Sequence, residues 1–156
     1  IMEYKVAFLI GSESDRKIAE TSIDYFKYFN IKLDLLVMSA HRNPKEVSEF
    51  SSNARDNGYS ILICGAGMAA HLGGAVKANT TLPVIGVPLP GGMMDGLDSL
   101  LSTVQMPKGV PVATMSVGKS GAINSAIFCA EVLSLNDEEI LSKLDMFKSN
   151  GATISA

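Results

Sequence analysis

The chain contains no tryptophan, few aromatic residues of any kind (6%), two cysteines and two histidines. Each scarcity closes off a class of function. Cys64 and Cys129 lie in apolar sequence at no metal-binding or redox spacing, so they read as reduced, buried thiols, and the cytoplasm is the expected compartment. Two histidines with few potential ligands beside them make a poor zinc or iron site, and no metal is expected. No stretch reaches about 18 uninterrupted apolar residues, and the opening IMEYKVAFLIG is too short an apolar run for a signal peptide or a span, so no membrane role is expected. Ile1 ahead of Met2 reads as a remnant before the natural start. Basic excess is absent too. Thirteen Lys and Arg stand against 16 Asp and Glu, for a net charge of -3 and a pI near 5.3. A general nucleic-acid binder needs a basic face to displace counterions from phosphates, so nucleic acid is excluded as a partner, although a local cluster can still hold a small anion.

What is present is apolar and regularly punctuated. The 156 residues suit one domain, 1–156, with no internal repeat, and 47% of them are hydrophobic. That exceeds the need of a small monomer, so self-association is expected. Five β-rich runs recur: KVAFLI (5–10), KLDLLVM (32–38), SILIC (60–64), LPVIGV (82–87) and VPVATMSV (110–117). Each is followed by Gly, Ser or Pro and then a helix-like segment. Strands separated by crossovers of this length run parallel, and continuous apolar strands imply a sheet covered on both faces. The fold class is therefore α/β: a single-domain, three-layer sandwich around a five-stranded parallel sheet, flavodoxin/Rossmann-like, with an additional C-terminal helix.

The helical segments differ in character. DRKIAETSIDYFKYFN spaces Ile18, Ile23, Phe26 and Phe29 along one face, as a surface helix does. SGAINSAIFCAEVLSL carries only Glu131 as a charged side chain, which places it centrally or at a subunit interface, out of reach of water on every side. NDEEILSKLDMFKSNG opens on an Asn cap and acids and closes on Lys and Gly, the polarity of a last helix.

In an open parallel sheet, ligands bind beyond the carboxyl ends of the strands. Three loops fall there: GSESD (11–15), SAHR (39–42) and GAGMAAH (65–71). GSESD offers small residues, hydroxyls and backbone N–H groups at a helix start, which fits either a phosphate cradle or plain capping by Ser14 or Asp15. GAGMAA matches a loose dinucleotide fingerprint, but it follows the third strand, and positions 83–94 hold no acid for a ribose. GKS at 118–120 lacks the first glycine of a P-loop, since position 113 is Ala. Ser12, His41 and Asp15 could be drawn as a hydrolase triad, but no G-x-S-x-G elbow is present. His41 sits two residues after Ser39 and next to Arg42, with Pro44 ready to start a helix. A histidine there either caps and packs or moves a proton near neutral pH, with the Arg42 guanidinium gripping phosphate or carboxylate.

Taken in order, GSESD, SAHRNP, GAGMAAHL and the run GLDSLLSTVQMPKGVPVATMSVGKSGAINSA form a highly specific set. Over residues 4–135 the sequence resembles the class I N5-carboxyaminoimidazole ribonucleotide mutases of purine biosynthesis. The resemblance implies an isomerase that moves a carboxylate from the exocyclic nitrogen of an aminoimidazole ribonucleotide to ring carbon 4. It implies no ATP, metal or organic cofactor, and a homo-octamer with shared sites. Carried over by motif, Ser12, Asp15 and Arg42 would hold the ribose phosphate end, with Asp15 on the ribose hydroxyls and with Ser14 and Ser39 assisting. His41 would be the acid/base. Gly65, Ala66 and Gly67 would let backbone approach the imidazole, and His71 would line the carboxylate pocket. The chain departs from the family pattern at Asn43 (usually Thr), Met68 (usually Gly), Gly73 (commonly Pro) and the loop PGGMMDG (90–96). Two other readings stand beside this one: a class II carboxylase of the same fold that takes free carbon dioxide, and a flavodoxin-like module that holds FMN phosphate on GSESD.

Overall fold

The run KVAFLI forms a strand over its whole length, β1, Lys5–Ile10. Its alternate side chains serve opposite faces: Val6, Phe8 and Ile10 enter one apolar layer, and Ala7 and Leu9 the other. All five are fully buried. A strand apolar on both faces must lie inside a sheet, and β1 pairs in parallel with β2 (Lys32–Val37) on one side and β3 (Tyr59–Ala66) on the other. β4 (Val84–Pro88) and β5 (Ala113–Thr114) complete the sheet in the order β2-β1-β3-β4-β5. This computed structural model describes residues 3–154; the reading of Ile1 and Met2 lies outside them.

Helices cover both faces and make the three expected layers. On one face lie α1 (Arg16–Ala19), α2 (Ile23–Tyr28), α6 (Lys119–Ser134) and α7 (Glu138–Ser149); on the other lie α3 (Pro44–Asn53) and α4 (Leu72–Lys77). A further helix, α5 (Leu97–Val104), packs beside β4 and β5. Each fully buried Phe or Ile in these layers contributes roughly 1.5–3 kcal/mol. Among the described residues no helix is long and apolar enough to cross a membrane.

Several local expectations are corrected. VPVATMSV pairs only at Ala113–Thr114, because Pro111 has no N–H to donate and Val110 is turned back onto the Pro107 carbonyl. β2 is an edge strand and is only partly buried: Leu33 and Leu35 pack on one layer and Leu36 on the other, while Lys32 and Val37 at its ends are exposed. The first helical segment is not one α-helix: a 3-10 turn at Glu13–Asp15 leads into it and a second at Glu20–Ser22 interrupts it. Around the second turn, the Thr21 and Ser22 hydroxyls donate to the carbonyls of Ile18 and Ala19 and tighten the path. The last helix is capped by Asp137, which accepts from the N–H groups of Glu139 and Ile140 at 3.0 Å, rather than by Asn136.

α6 is central, as its composition implies, but water does reach it at Asn124 and Glu131. Its small residues Gly121, Ala122, Ser125 and Ala126 are buried. At Gly121 the approach leaves no room for a side chain, since a Cβ there would collide with the Ser116 carbonyl oxygen. Backbone cannot yield as a flexible side chain can. Gly121→Ala is therefore expected to lower stability by about 2–3 kcal/mol, read as a fall in the urea midpoint at unchanged m-value.

Candidate active site

Because β1, β2 and β3 run parallel and in register, Ile10 faces Val37 on one side and Gly65 on the other, and the three strands end together. The loops that follow enclose a cavity of about 420 Å3. That volume is within the usual range for a small-molecule site, at the point where the strand order reverses.

In the first loop Ser12, rather than Ser14 or Asp15, is the cap. Its Oγ accepts from the Ser14 N–H at 3.3 Å and from the Ser14 hydroxyl at 2.9 Å, which leaves its own hydrogen free to donate. Asp15 makes no side-chain cap bond and lines the cavity half-buried, and burial pushes its carboxyl above the usual carboxylate range. In the second loop the Ser39 Oγ accepts from the Arg42 N–H at 3.2 Å, the Asn43 N–H donates to the Ser39 carbonyl at 2.8 Å, and Pro44 opens α3. This closed turn leaves His41 and Arg42 exposed on the cavity wall, so His41 is neither a cap nor a core residue.

The third loop divides the residues expected there. Ala66, Gly67 and His71 line the cavity. Gly65 is buried in β3 instead, where its carbonyl accepts from the Gly11 N–H at 3.1 Å and ties the first loop to the third. Met68 lines the cavity in a left-handed conformation (φ 51°), which costs a residue with a Cβ about 1–2 kcal/mol. Ser102 on α5 steadies that turn: its Oγ lies 3.2 Å from the Met68 carbonyl and accepts from the Ala70 N–H at 3.0 Å. Nothing in the local sequence marks Ser102, which is 32 residues from Ala70. Pro90 and Gly91 close the remaining side, with the Asp95 carboxylate accepting from the Gly91 N–H at 3.0 Å.

The two histidines meet. His41 Nε2 lies 2.8 Å from His71 Nδ1, with the rings edge to face and their centroids 4.9 Å apart. Of the cavity-lining residues, Arg42 is the single permanent cation and Asp15 the single carboxylate. One guanidinium and several hydroxyls can hold an oxyanion, while an imidazole pair beside an Ala/Gly wall can exchange a proton with a flat ligand. Cys64 does not line the cavity, and burial pushes its thiol up. Among the described residues no three His, Cys, Asp or Glu side chains gather as a metal site.

The profile of the AIR carboxylase family matches residues 5–153. The N5-carboxyaminoimidazole ribonucleotide mutase of Bacillus subtilis (strain 168) is 46% identical over 149 residues, 96% of this chain and 92% of that protein. The protein of the same name from Escherichia coli (strain K12) is 42% identical over 141 residues, 90% of this chain and 83% of its own length. Among solved structures, Treponema denticola PurE superposes with a TM-score of 0.87 at 26% identity, covering 96% of this chain and 92% of that one.

The half-buried Asp15 yields a sign-definite prediction. A carboxyl whose folded pKa is raised binds its proton more tightly in the folded chain, so stability falls as pH rises from the ordinary carboxylate value, about 3.9, through the folded value. At neutral pH the whole penalty is present. Asp15→Asn is expected to raise the melting temperature of the ligand-free protein at pH 7, with the difference shrinking as pH falls through the raised folded value and gone below about 3.9; thermal scans across that range check it.

Proposed function

The chain belongs to the AIR carboxylase family, and from that membership we propose that it is the isomerase of purine biosynthesis that converts N5-carboxyaminoimidazole ribonucleotide to 4-carboxy-5-aminoimidazole ribonucleotide without ATP. The observation that carries the reading is the meeting of Ser12, Asp15, Arg42 and His41 on one cavity of nucleotide size. The relatives at 42–46% identity bear the mutase name, which favours this reaction over carboxylation by free carbon dioxide and over simple FMN binding.

In this reading Arg42 and the free hydroxyl hydrogens of Ser12 and Ser39 take the phosphate, Ser14 assists by holding the Ser12 hydroxyl, and Asp15 accepts from the ribose hydroxyls. A carboxylate beside a dianion would otherwise repel it. The flat imidazole lies along Ala66 and Gly67, where no large side chain intervenes, and His71 borders the carboxylate. The carbamate C–N bond breaks first, releasing carbon dioxide into the pocket as the exocyclic nitrogen gains a proton. Ring carbon 4 then attacks the carbon dioxide, and His41 removes the proton left on that carbon so that the ring regains aromaticity. Holding the gas is essential. Its escape would make the enzyme a decarboxylase.

Self-association, which the family resemblance makes an octamer, belongs to the same proposal, as does the cytoplasm. Its support comes from α5 rather than from α6. Leu97, Leu101 and Val104 form an exposed stripe at helical spacing, 40%, 54% and 46% accessible, continued by Met93 and Met94.

Three outcomes test the proposal. Substrate labelled in its carboxyl carbon is expected to give product largely undiluted by a pool of unlabelled bicarbonate, with turnover reduced at least about 100-fold in His41→Asn while ligand still binds. Extensive dilution, with brisk reaction from aminoimidazole ribonucleotide and bicarbonate, would assign the carboxylase reaction instead. Analytical sedimentation at micromolar concentration should give a multiple of 16.5 kDa, and the monomer mass itself would refute self-association.

A further inference from the structure

We propose that His71 is a positioning residue that sets the tautomer of His41 through the hydrogen bond between the two rings. The inference rests on the mutase reading above for its kinetic consequence, and on the geometry alone for its tautomer. His41 Nε2 and His71 Nδ1 are 2.8 Å apart, so between two neutral rings one nitrogen must carry the hydrogen and the other the lone pair. Among the described residues neither ring has another side-chain hydrogen bond, and no carboxylate orients His41 as a carboxylate usually orients a catalytic imidazole. His71 occupies that place. Its backbone is held by a 2.8 Å hydrogen bond from its N–H to the Ala69 carbonyl and by its own carbonyl, which accepts from the Ala75 N–H at 3.0 Å as α4 begins.

The direction of the bond follows from what His41 has to do. With Nε2 engaged by His71, the nitrogen left to meet the substrate is Nδ1, and a base needs its lone pair there. His41 therefore carries its hydrogen on Nε2 and donates it to His71 Nδ1, and His71 carries its own hydrogen on Nε2. In the reverse arrangement His41 would present an N–H and could not accept. During turnover the C4–H electron pair returns to the ring, the proton goes to His41 Nδ1, and the resulting imidazolium keeps its Nε2–H bond to the His71 lone pair. The proton then leaves to the exocyclic nitrogen of the next carbamate. Charge, electrons and protons balance over the cycle without another reactant. The other titratable or charged groups on the cavity wall are Asp15 from the first loop and Arg42 from the second; the 66–71 and 90–91 segments contribute none besides His71.

The chain has two histidines, so selective labelling with 15N-imidazole histidine gives only four ring signals to assign. Magic-angle-spinning NMR of the ligand-free full chain, at a pH where both rings are neutral, is expected to show both rings protonated at Nε2, and His71→Ala to leave His41 a mixture of tautomers. With the carboxyamino ribonucleotide as substrate, His71→Ala should lower kcat at least about tenfold with KM within about threefold. His71→Asn can place its amide oxygen near the lost Nδ1, and should recover most of kcat. A wild-type His41 protonated at Nδ1, a tautomer unmoved by His71→Ala, or a variant that loses only KM would each overturn the proposal. If the wild-type chain does not turn this substrate over, the mutase reading fails, and the NMR of the free protein still decides the tautomer. That measurement on the wild type is also independent of whether a variant folds.

Discussion

The parallel pairing of β1 with both of its neighbours is the constraint on which the site depends. β1 is buried on both faces, and no water competes for its ladder. Parallel pairing in register brings the carboxyl ends of β1, β2 and β3 to one edge, so loops separated by some 30 residues of sequence empty into the same space. The bond from the Gly11 N–H to the Gly65 carbonyl carries the ladder one step past β1 and couples the first loop to the third. Stability of the strand and geometry of the cavity are thus properties of the same hydrogen bonds.

At the cavity the structure gives up local stability for arrangement. Asp15 is held partly buried, where burial disfavours its charge. Met68 adopts a left-handed backbone, and Met94 and Asp95 do the same in the neighbouring loop (φ 47° and 52°). Such conformations persist only where the surroundings over-determine them. Here the Ser102 hydroxyl, the Asp95 and Asp98 carboxylates and the Leu89 N–H bond to Ala66 provide that support, and most of it comes from β4 and α5. These elements shape the site without presenting a charged side chain to it. The glycine and proline departures at 73 and 90–96 belong to the same region, where Gly73 is buried in α4 and Pro90 lines the cavity.

The cavity also separates its tasks in space. Arg42, the serines and Asp15 come from the first two loops, whereas the wall beside the histidine pair comes from the third. A ligand with an anionic end and a flat ring can therefore be gripped at one end and altered at the other. The Ser12 and Ser39 hydroxyls are each held by a hydrogen bond from a backbone N–H in their own turn, at 3.3 and 3.2 Å, and the histidines by contact with each other.

How much of this was legible follows physical lines. The sequence by itself determined the alternation of apolar strands and helices, the covered parallel sheet and the three ligand-facing loops, because strand burial, turn chemistry and helix starts are written in near neighbours. It also carried the helix start at Pro44 and the centrality of α6. Only the tertiary structure decided that β5 would shrink to two residues at the sheet edge, that Ser12 would cap in place of Ser14 or Asp15, and that Gly65 would face the sheet rather than the cavity. The same holds for Ser102, the exposed stripe on α5 and the contact between His41 and His71. Each depends on groups brought together from distant parts of the chain, and the distance between two side chains 30 residues apart is set by strand register and packing, for which no local pattern in the sequence stands as a sign.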